Sequence, residues 1–370
     1  MPDYDLIIVG GGVSGVSLAE LAAAGGYKTL LLEKGRFFGA TSSNSMRIIH
    51  GGLRYLQQMD FARIRESVKA QSELLAIGQG LIEPLSCIMP LSKNSLKRSR
   101  LFVGLGALLY RILSCGVRSE LKKPSLVDAG FVKVELPGLE QLAGAGALFW
   151  QDAQIVDLSK FHELLIDRAK EAGADLLEQS PVKQVTADAD LLRVHFERDG
   201  YDTALCSSYV INTSGPWLKT FEVPDTGLRV NGWCKSFNLV FNLNAPFEYA
   251  VGLEGPENRL FFIVPRKGEL AVGTWNLPFN SNADQLKITE PEIDVAINDI
   301  NTIVPSVNFK REQIVRVEAG ILPAKGVNAA GGIKLYGQEQ IWRNGNYIEV
   351  LSTKYTTARE QARRVLKLLN

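Results

Sequence analysis

The chain contains 370 residues, of which 46% are hydrophobic and 22% are charged. This balance excludes an intrinsically disordered protein, and the length favours two linked domains. Lys and Arg number 41 against 40 Asp and Glu, so the formal net charge is +1. A net charge this small excludes a strong overall electrostatic field that would attract nucleic acid. No nucleic-acid partner is therefore expected.

The first pattern in the chain is a βαβ unit. Residues 6–9 are aliphatic and mostly β-branched, which predicts a buried parallel strand. The run Gly-Gly-Gly-Val-Ser-Gly at 10–15 matches G-x-G-x-x-G. Residues 16–24 predict a helix, and residues 29–32 predict a second strand that ends at Glu33. This order of elements predicts a dinucleotide-binding site.

Each part of this motif has a physical role in holding a pyrophosphate. Gly10 allows the tight turn, Gly12 lets the pyrophosphate approach the backbone, and Gly15 lets helix and strand pack closely. The helix N-terminus offers unpaired N–H groups and a partial positive charge. A carboxylate at the end of the second strand accepts hydrogen bonds from ribose hydroxyls. The residues predicted to bind the nucleotide here are Gly10, Gly12, Val13, Ser14, Gly15, Glu33 and Lys34.

A hydroxyl-rich loop follows where an NAD-binding domain would normally continue with another βα unit. Residues 39–45 read Gly-Ala-Thr-Ser-Ser-Asn-Ser, and a Gly-Gly turn lies at 51–52. Hydroxyls hydrogen-bond a pyrophosphate or ribityl chain, and glycines let a flat ring lie against the backbone. This pattern favours FAD. The cofactor contacts predicted in this segment are Thr41, Ser42, Ser43, His50, Gly51, Gly52 and Leu53.

The run from 40 to 55 resembles the FAD-dependent glycerol-3-phosphate dehydrogenases, within the D-amino-acid-oxidase-like (DAO) superfamily of flavoproteins. Later segments resemble the same family in the same order, namely residues 150–153, 210–217, 262–265, 273–274 and 351–359. Because these matches extend over most of the chain, they specify the superfamily. They do not specify the substrate.

The resemblance implies an α/β fold in two parts. A glutathione-reductase-like FAD-binding Rossmann domain is expected to be discontinuous, formed by residues 1–75, 142–219 and 325–370. A substrate or cap domain with a mostly antiparallel β-sheet is expected at 76–141 and 220–324. The residue patterns further predict a helix at 161–172, strands at 174–177, within 181–197 and at 203–212, and an amphipathic helix at 356–369.

The resemblance also implies FAD contacts on the later segments. These carry over to Val182, Ser214, Gly215, Trp217, Gly320, Leu322, Thr353, Lys354, Tyr355 and Thr356. Non-covalent FAD is expected, because no cysteine or histidine context compels attachment.

The four cysteines are widely spaced. Cys87, Cys115, Cys206 and Cys234 form no C-x-x-C pair, so neither a zinc site nor a disulfide framework is predicted, and no metal is expected. They are expected to be buried reduced thiols. The first residues have no basic segment and no cleavage site, so a reducing cytoplasmic location is predicted.

Two positions depart from the dehydrogenase pattern. The family places an Arg in a G-x-R-P segment beside the flavin, where this chain has Leu322, and a His on a substrate-domain strand, where it has Phe237. Losing a guanidinium removes a bidentate phosphate partner. These changes predict a more apolar pocket and a substrate other than glycerol 3-phosphate. Arg54 and Lys354 remain as cations that could face an anion.

The candidate catalytic residues are His50, Arg54 and Lys354. His50 lies in the flavin-loop motif and either accepts a proton or holds the loop by hydrogen bonding. Arg54 either clamps a substrate anion or forms a structural ion pair. Lys354 is expected near the flavin N1/O2 region or the substrate, as the resemblance implies. His162 is predicted to lie on the surface of a helix.

The predicted function is FAD-dependent oxidation of a small alcohol or hydroxy acid by hydride transfer to flavin N5, with a quinone or oxygen as electron acceptor. An amine or amino-acid oxidase of the same superfamily is one alternative. A flavin-binding subunit without catalytic activity is another, which Leu322 and Phe237 favour.

Residues 93–123 are strongly basic around an apolar run at 101–110. Ten apolar residues are too few to span a bilayer, which needs about 20. A basic, apolar helix can instead lie on an anionic membrane surface, and it can equally be a lid or core helix with solvated charges. Peripheral contact with the inner membrane face is therefore one of two open interpretations.

Overall fold

A computed structural model of the chain describes residues 1–92, 98–117, 120–255, 260–327 and 332–369. Its strands are β1 Tyr4–Val9, β2 Thr29–Leu32, β3 Ile48–Ile49, β4 Ile82–Pro90, β5 Ser125–Val127, β6 Ala147–Ile155, β7 Asp175–Leu177, β8 Val182–Asp188, β9 Leu191–Arg198, β10 Tyr201–Asn212, β11 Gly232–Phe241, β12 Ala250–Glu254, β13 Leu260–Arg266, β14 Glu269–Phe279, β15 Ile314–Val327, β16 Ile333–Leu335, β17 Gln340–Asn344 and β18 Tyr347–Leu351. Its α-helices are α1 Val13–Ala24, α2 Phe61–Ile77, α3 Arg100–Leu113, α4 Ala129–Glu135, α5 Leu158–Glu171, α6 Glu290–Ile303 and α7 Ala358–Leu366.

The first sheet has the parallel centre of a dinucleotide-binding fold. Within the described ranges it has eight strands, and β17, β18, β10, β1, β2 and β7 lie side by side in that order. β1 pairs in parallel with both β10 and β2, so the glycine turn follows a central strand. Helices α5, α1 and α7 pack on one face of this sheet. The predicted βαβ unit is confirmed, with α1 beginning at Val13.

The second sheet is mostly antiparallel, as expected. Across the described residues it has ten strands, of which β15, β11, β14, β13 and β12 form a continuous antiparallel stretch. Helices α4 and α6 cover one face of it. Part of the opposite face packs against α3 and the loop before β3. The predicted α/β fold class is therefore confirmed.

The predicted division into domains stays a prediction. Strands β3, β6 and β16 fall within the segments assigned to the FAD-binding domain, and they pair in the second sheet. Chain segments of the two sheets therefore alternate along the sequence, and the site between them is built from residues far apart in sequence.

Two cysteines differ from the prediction of buried thiols. Cys87 and Cys234 are buried, whereas Cys206 is half-buried and Cys115, just beyond the end of α3, is exposed. The spacing of the cysteines excluded a disulfide framework, but it does not indicate how exposed each thiol is. No helix in the described parts of the chain is long and apolar enough to cross a membrane.

Candidate functional site

The glycine turn after β1 is closely packed. Gly10 has φ of +102°, a conformation that side-chain-bearing residues rarely adopt. A methyl group on Gly15 would lie 1.9 Å from the carbonyl oxygen of Gly10, so helix α1 approaches the turn as the motif predicts. The Thr213 hydroxyl donates to the same carbonyl at 2.9 Å and fixes the turn against β10.

Gly12 is different, because the space beside it is nearly free. A methyl group there would meet the Ser42 hydroxyl oxygen at 3.3 Å, and within the described chain no other heavy atom comes within 4 Å outside its immediate neighbours. The Ser42 oxygen also accepts a hydrogen bond from Val13 N at 3.1 Å. Ser42 therefore lies at the N-terminus of α1, where the glycine motif predicts a pyrophosphate.

The Glu33 carboxylate lies beside the same turn. It accepts hydrogen bonds from Gly11 N at 2.6 Å and from Gly35 N at 2.8 Å. These bonds fix the carboxylate at the carboxyl end of β2, the place where such a group accepts ribose hydroxyls. The exposed Lys34 ammonium instead lies 2.5 Å from Asp284 Oδ1 and 4.1 Å from the centre of the Trp217 ring.

The turn after β18 closes the site from the other side. Ser14 Oγ in α1 lies 2.8 Å from both Ser352 Oγ and Gln361 Oε1, so this turn and α7 are joined to the first turn of α1. The Tyr355 hydroxyl and Gln361 Nε2 are buried, and neither has a hydrogen-bond partner among the described residues. Unpaired buried polar atoms beside an open glycine turn fit a polar cofactor that extends from the turn. The residues present therefore fit FAD.

Strand β15 of the second sheet contacts the hydroxyl-rich loop. Thr41 Oγ1 accepts a hydrogen bond from Ile321 N at 3.1 Å, and a methyl group on Gly320 would lie 2.7 Å from Thr41 Cγ2. This contact brings Leu322, which is half-buried, to the same edge of the site.

The remaining predicted cofactor contacts come from several separate elements. Ser43 Oγ donates to Phe38 O at 2.6 Å, and the Ser214 N–H and hydroxyl both bond Asn212 Oδ1. Val182 begins β8 two residues after Ser180, whose N–H donates to the carbonyl of Glu33 at 2.8 Å, and its side chain packs on the face of the first sheet opposite α1. Of the others, Gly52 has φ of +79°, Leu53 and Thr353 are half-buried, Gly215 follows β10, and Thr356 is buried.

The three candidate catalytic residues lie close together. His50 is buried enough that desolvation lowers the pKa of its imidazole, and the nearby Lys354 and Arg54 charges lower that pKa further. A neutral imidazole results, and a neutral imidazole can accept a proton. Arg54 itself is exposed. The structure thus joins residues that are about 300 positions apart in the sequence.

Lys354 is a half-buried cation that faces an aromatic ring. Its Nζ lies 4.3 Å from the centre of the Tyr55 ring, and Arg63 Cζ lies 4.9 Å from the same ring. Burial, together with the Arg63 charge, lowers the pKa of Lys354 to about 8. In the described chain no carboxylate lies within 4 Å of this ammonium, and the nearby Glu66 binds Arg364 instead.

Two sequence predictions about side-chain placement are wrong. Phe237 does not line a pocket: it is buried on the α6 side of the second sheet and stacks on Trp275 at a centroid distance of 5.6 Å. His162 does not lie on the surface: it is 8% exposed and stacks on Phe38 at 3.9 Å. Burial lowers the pKa of His162 to about 4. The helical spacing of the apolar Leu158, Phe161 and Leu165 could have revealed it.

Sequence reasoning missed a buried ionic cluster beside the hydroxyl-rich loop. Glu318 on β15 accepts from Arg266 at 2.8 Å and from Arg47 at 3.1 Å. Arg266 also donates to the carbonyl of Ser45 at 3.3 Å. The cluster therefore ties the second sheet to the loop between Ser43 and β3. No local pattern marks it, because its members lie on separate elements.

Comparisons with known proteins agree with this geometry. The family model described as FAD dependent oxidoreductase (DAO) matches residues 5–348. The chain belongs to this family. FAD is accordingly its cofactor, and the chain is an FAD-dependent oxidoreductase, which confirms the cofactor, enzyme class and superfamily predicted from the sequence.

Relatives and solved structures extend the comparison. A glycerol-3-phosphate dehydrogenase from Synechocystis sp. is 30% identical over 96% of this chain and 68% of the relative. An aerobic glycerol-3-phosphate dehydrogenase from Staphylococcus epidermidis is 27% identical over 99% and 67%. The chain thus spans about two thirds of the length of these relatives. The Bacillus halodurans glycerol-3-phosphate dehydrogenase complexed with FAD has a TM-score of 0.74 at 18% identity, covering 99% of this chain and 64% of that one. A glycine oxidase from Geobacillus kaustophilus has a TM-score of 0.69 at 19% identity, covering 100% and 95%.

Proposed function

We propose that this FAD-dependent oxidoreductase oxidises a small hydroxy compound that carries a negative charge, such as a hydroxy acid or a polyol phosphate. The observation that carries the proposal is the half-buried Lys354 ammonium, which has no carboxylate within 4 Å among the described residues. A half-buried cation without a direct ion pair is stabilised when a ligand supplies the anion. The exposed Arg54 guanidinium provides a second positive charge, which like that of Lys354 acts on His50.

Each residue then has a defined part in the reaction. When bound, FAD would supply the hydride acceptor for the substrate carbon, and loss of the hydroxyl proton to this chain would turn the alcohol into a carbonyl. His50 accepts that proton, because burial keeps its imidazole neutral. Lys354 and Arg54 hold the substrate anion and orient its C–H bond. A quinone or oxygen would serve as the final electron acceptor.

Anaerobic reduction by a panel of donors tests this function. The purified yellow protein is mixed with hydroxy acids, polyol phosphates, amino acids and amines, and the visible flavin absorbance is followed. We expect bleaching by an anionic hydroxy compound and none by its uncharged counterpart, for example glycerol beside glycerol 3-phosphate. Bleaching by amino acids or amines alone would establish the alternative oxidase. Failure of every donor to bleach bound flavin would favour a subunit without catalytic activity.

We also propose that helix α3 contacts an anionic membrane surface. Its outer side carries exposed Leu101, Leu105, Leu108 and Ile112, between 56% and 76% exposed and spaced as one stripe of a helix. Arg111, Lys122 and Lys123 are exposed in the same part of the chain. An apolar stripe bordered by cations matches the interface of an anionic bilayer.

Replacing Leu105 and Leu108 together by glutamate is expected to abolish sedimentation with anionic vesicles. Burying a leucine contributes about 1.5–3 kcal/mol, so the affinity for vesicles should fall at least about 100-fold. The measurement is co-sedimentation with phosphatidylglycerol vesicles, with phosphatidylcholine vesicles as reference. Val295→Glu is the matched control, because Val295 is 60% exposed on α6. Wild-type protein that stays in the supernatant would contradict the membrane contact.

A further inference from the structure

Three buried side chains bind the peptide groups around His50. Gly51 N donates to Asp152 Oδ1 at 2.7 Å, and the Tyr110 hydroxyl donates to the carbonyl of Gly51 at 2.9 Å. Gln71 Nε2 donates to the carbonyl of Ile49 at 2.7 Å. These side chains come from β6, α3 and α2, so three separate elements fix one short turn.

Gly51 is required by this arrangement. A methyl group on Gly51 would lie 2.3 Å from the Tyr110 hydroxyl oxygen and 3.0 Å from Gln71 Oε1. The side chains are therefore packed directly on the backbone, and the peptide has little freedom to turn. Because His50 lies between Ile49 and Gly51, its backbone is held with the turn.

Asp152 is a buried charge without a cationic partner. It is 7% exposed, and among the described residues no lysine, arginine or histidine nitrogen comes within 4 Å of its carboxylate. Its oxygens accept from N–H donors instead: Gly51 N and Gln71 Nε2 on one oxygen, and Trp150 Nε1 at 2.9 Å on the other. Hydrogen bonds to a charged acceptor are stronger than neutral ones, which offsets part of the desolvation. An amide side chain has only one acceptor oxygen, so the donors on both sides select a carboxylate at this position.

We propose that Asp152 is a positioning residue, which fixes the Gly51 turn and places a negative charge beside the His50 imidazole that receives the substrate proton. This inference rests on the proposed function, in which His50 accepts that proton. Transfer of a proton to His50 creates an imidazolium that the Lys354 and Arg54 charges disfavour, and a fixed carboxylate stabilises it.

The charges around His50 agree with this role. Burial, Lys354 on the closing turn and Arg54 all lower the pKa of His50, whereas Asp152 on β6 raises it. The surrounding phenols and thiol are neutral at neutral pH. Burial raises the pKa of Tyr55 to about 12, and it also raises the pKa values of Tyr110 on α3 and Cys87 on β4.

Histidine NMR of the FAD-loaded protein tests the inference without any substrate. The chain has only three histidines, so His50, His162 and His195 can be assigned by single replacements. Asp152→Asn keeps an oxygen for Gly51 N, gives up the acceptor for Trp150 Nε1, and removes the charge. We expect it to lower the pKa of His50 by about one unit, with His162 and His195 unchanged. An unchanged His50 titration would overturn the electrostatic role.

Tyr110→Phe is the matched variant, because it releases the same turn and leaves the charge. We expect the amide of Gly51 to exchange with solvent about two- to tenfold faster, while the His50 titration stays at its wild-type pH. Unchanged exchange in this variant would overturn the clamping role.

Once a substrate is known, the same variants separate catalysis from folding. Asp152→Asn should slow flavin reduction about 10- to 100-fold and move the acid limb of its pH profile downward, with FAD affinity unchanged. If neither the acid limb of the pH profile nor the rate of flavin reduction changed, the inference would be refuted. If no donor reduces the flavin, the proposed function fails, and the NMR result still decides the role of Asp152.

Discussion

Replacing Gly12 by alanine is expected to abolish tight FAD binding while the protein stays folded. The added methyl group meets only the Ser42 hydroxyl oxygen, at 3.3 Å, among the described atoms beyond its neighbours. It would occupy the space through which a pyrophosphate reaches the backbone N–H groups of α1. Each lost hydrogen bond to a charged group costs about 1.5–3 kcal/mol, or roughly 10- to 150-fold in affinity. Titration of the apoprotein with FAD, followed by flavin fluorescence, measures the loss.

Two other glycines provide the comparison. Gly232→Ala is the neutral control, because no described heavy atom lies within 4 Å of the added methyl group. Gly15→Ala should instead destabilise the fold itself, since its methyl group would lie 1.9 Å from a backbone oxygen. A Gly12→Ala protein that binds FAD like wild type would place the pyrophosphate elsewhere. Thermal unfolding of the three apoproteins shows which changes affect folding.

Raising the pH through about 8 is expected to weaken binding of the anionic substrate, because the pKa of Lys354 is lowered to about 8. Lys354 carries its charge below that pH and loses it above, so KM should rise on the alkaline side. Lys354→Met should raise KM roughly 10- to 150-fold at neutral pH and remove this alkaline limb. Steady-state kinetics with the substrate found in the donor panel measures both effects.

The Lys354→Arg variant tests whether loss of the charge at position 354 causes the alkaline limb. Arginine keeps its charge to a far higher pH, so the alkaline limb should move upward even if affinity drops. Lys160→Met is the surface control, since Lys160 is 69% exposed and pairs with Asp157 on the same helix. An alkaline limb near pH 8 that persists in Lys354→Met would assign that titration to another group.

The parts of the site that could be predicted are those formed by residues contiguous in the sequence. Strand, glycine turn, helix and acid lie within the first 33 residues, and their periodicity and spacing carry the prediction. The proximity of His50 and Lys354 followed only from the family resemblance, because they are joined by the tertiary fold.

The errors and omissions have a common physical origin. In a strand, successive side chains point to opposite faces, so one residue of register decides whether Phe237 faces α6 or the flavin side. The pairing of β11 with β14 changes register between Phe237 and Asn238, and no local sequence pattern predicts this shift. Asp152 was missed as a functional residue for a related reason: its partners come from α2, β6 and the turn before α2.

The order of strands in the first sheet also determines when this protein can acquire its cofactor during synthesis. Val9 pairs with Asn212, and Val210 pairs with Tyr347, so the centre of the sheet needs chain segments that are made far apart in time. At roughly 5–20 residues per second, the ribosome needs about 17–70 s to pass from residue 9 to residue 347. During that interval the glycine turn exists without the closing turn at 352–356. We therefore expect tight FAD binding only after the last strand of the sheet has been made and paired.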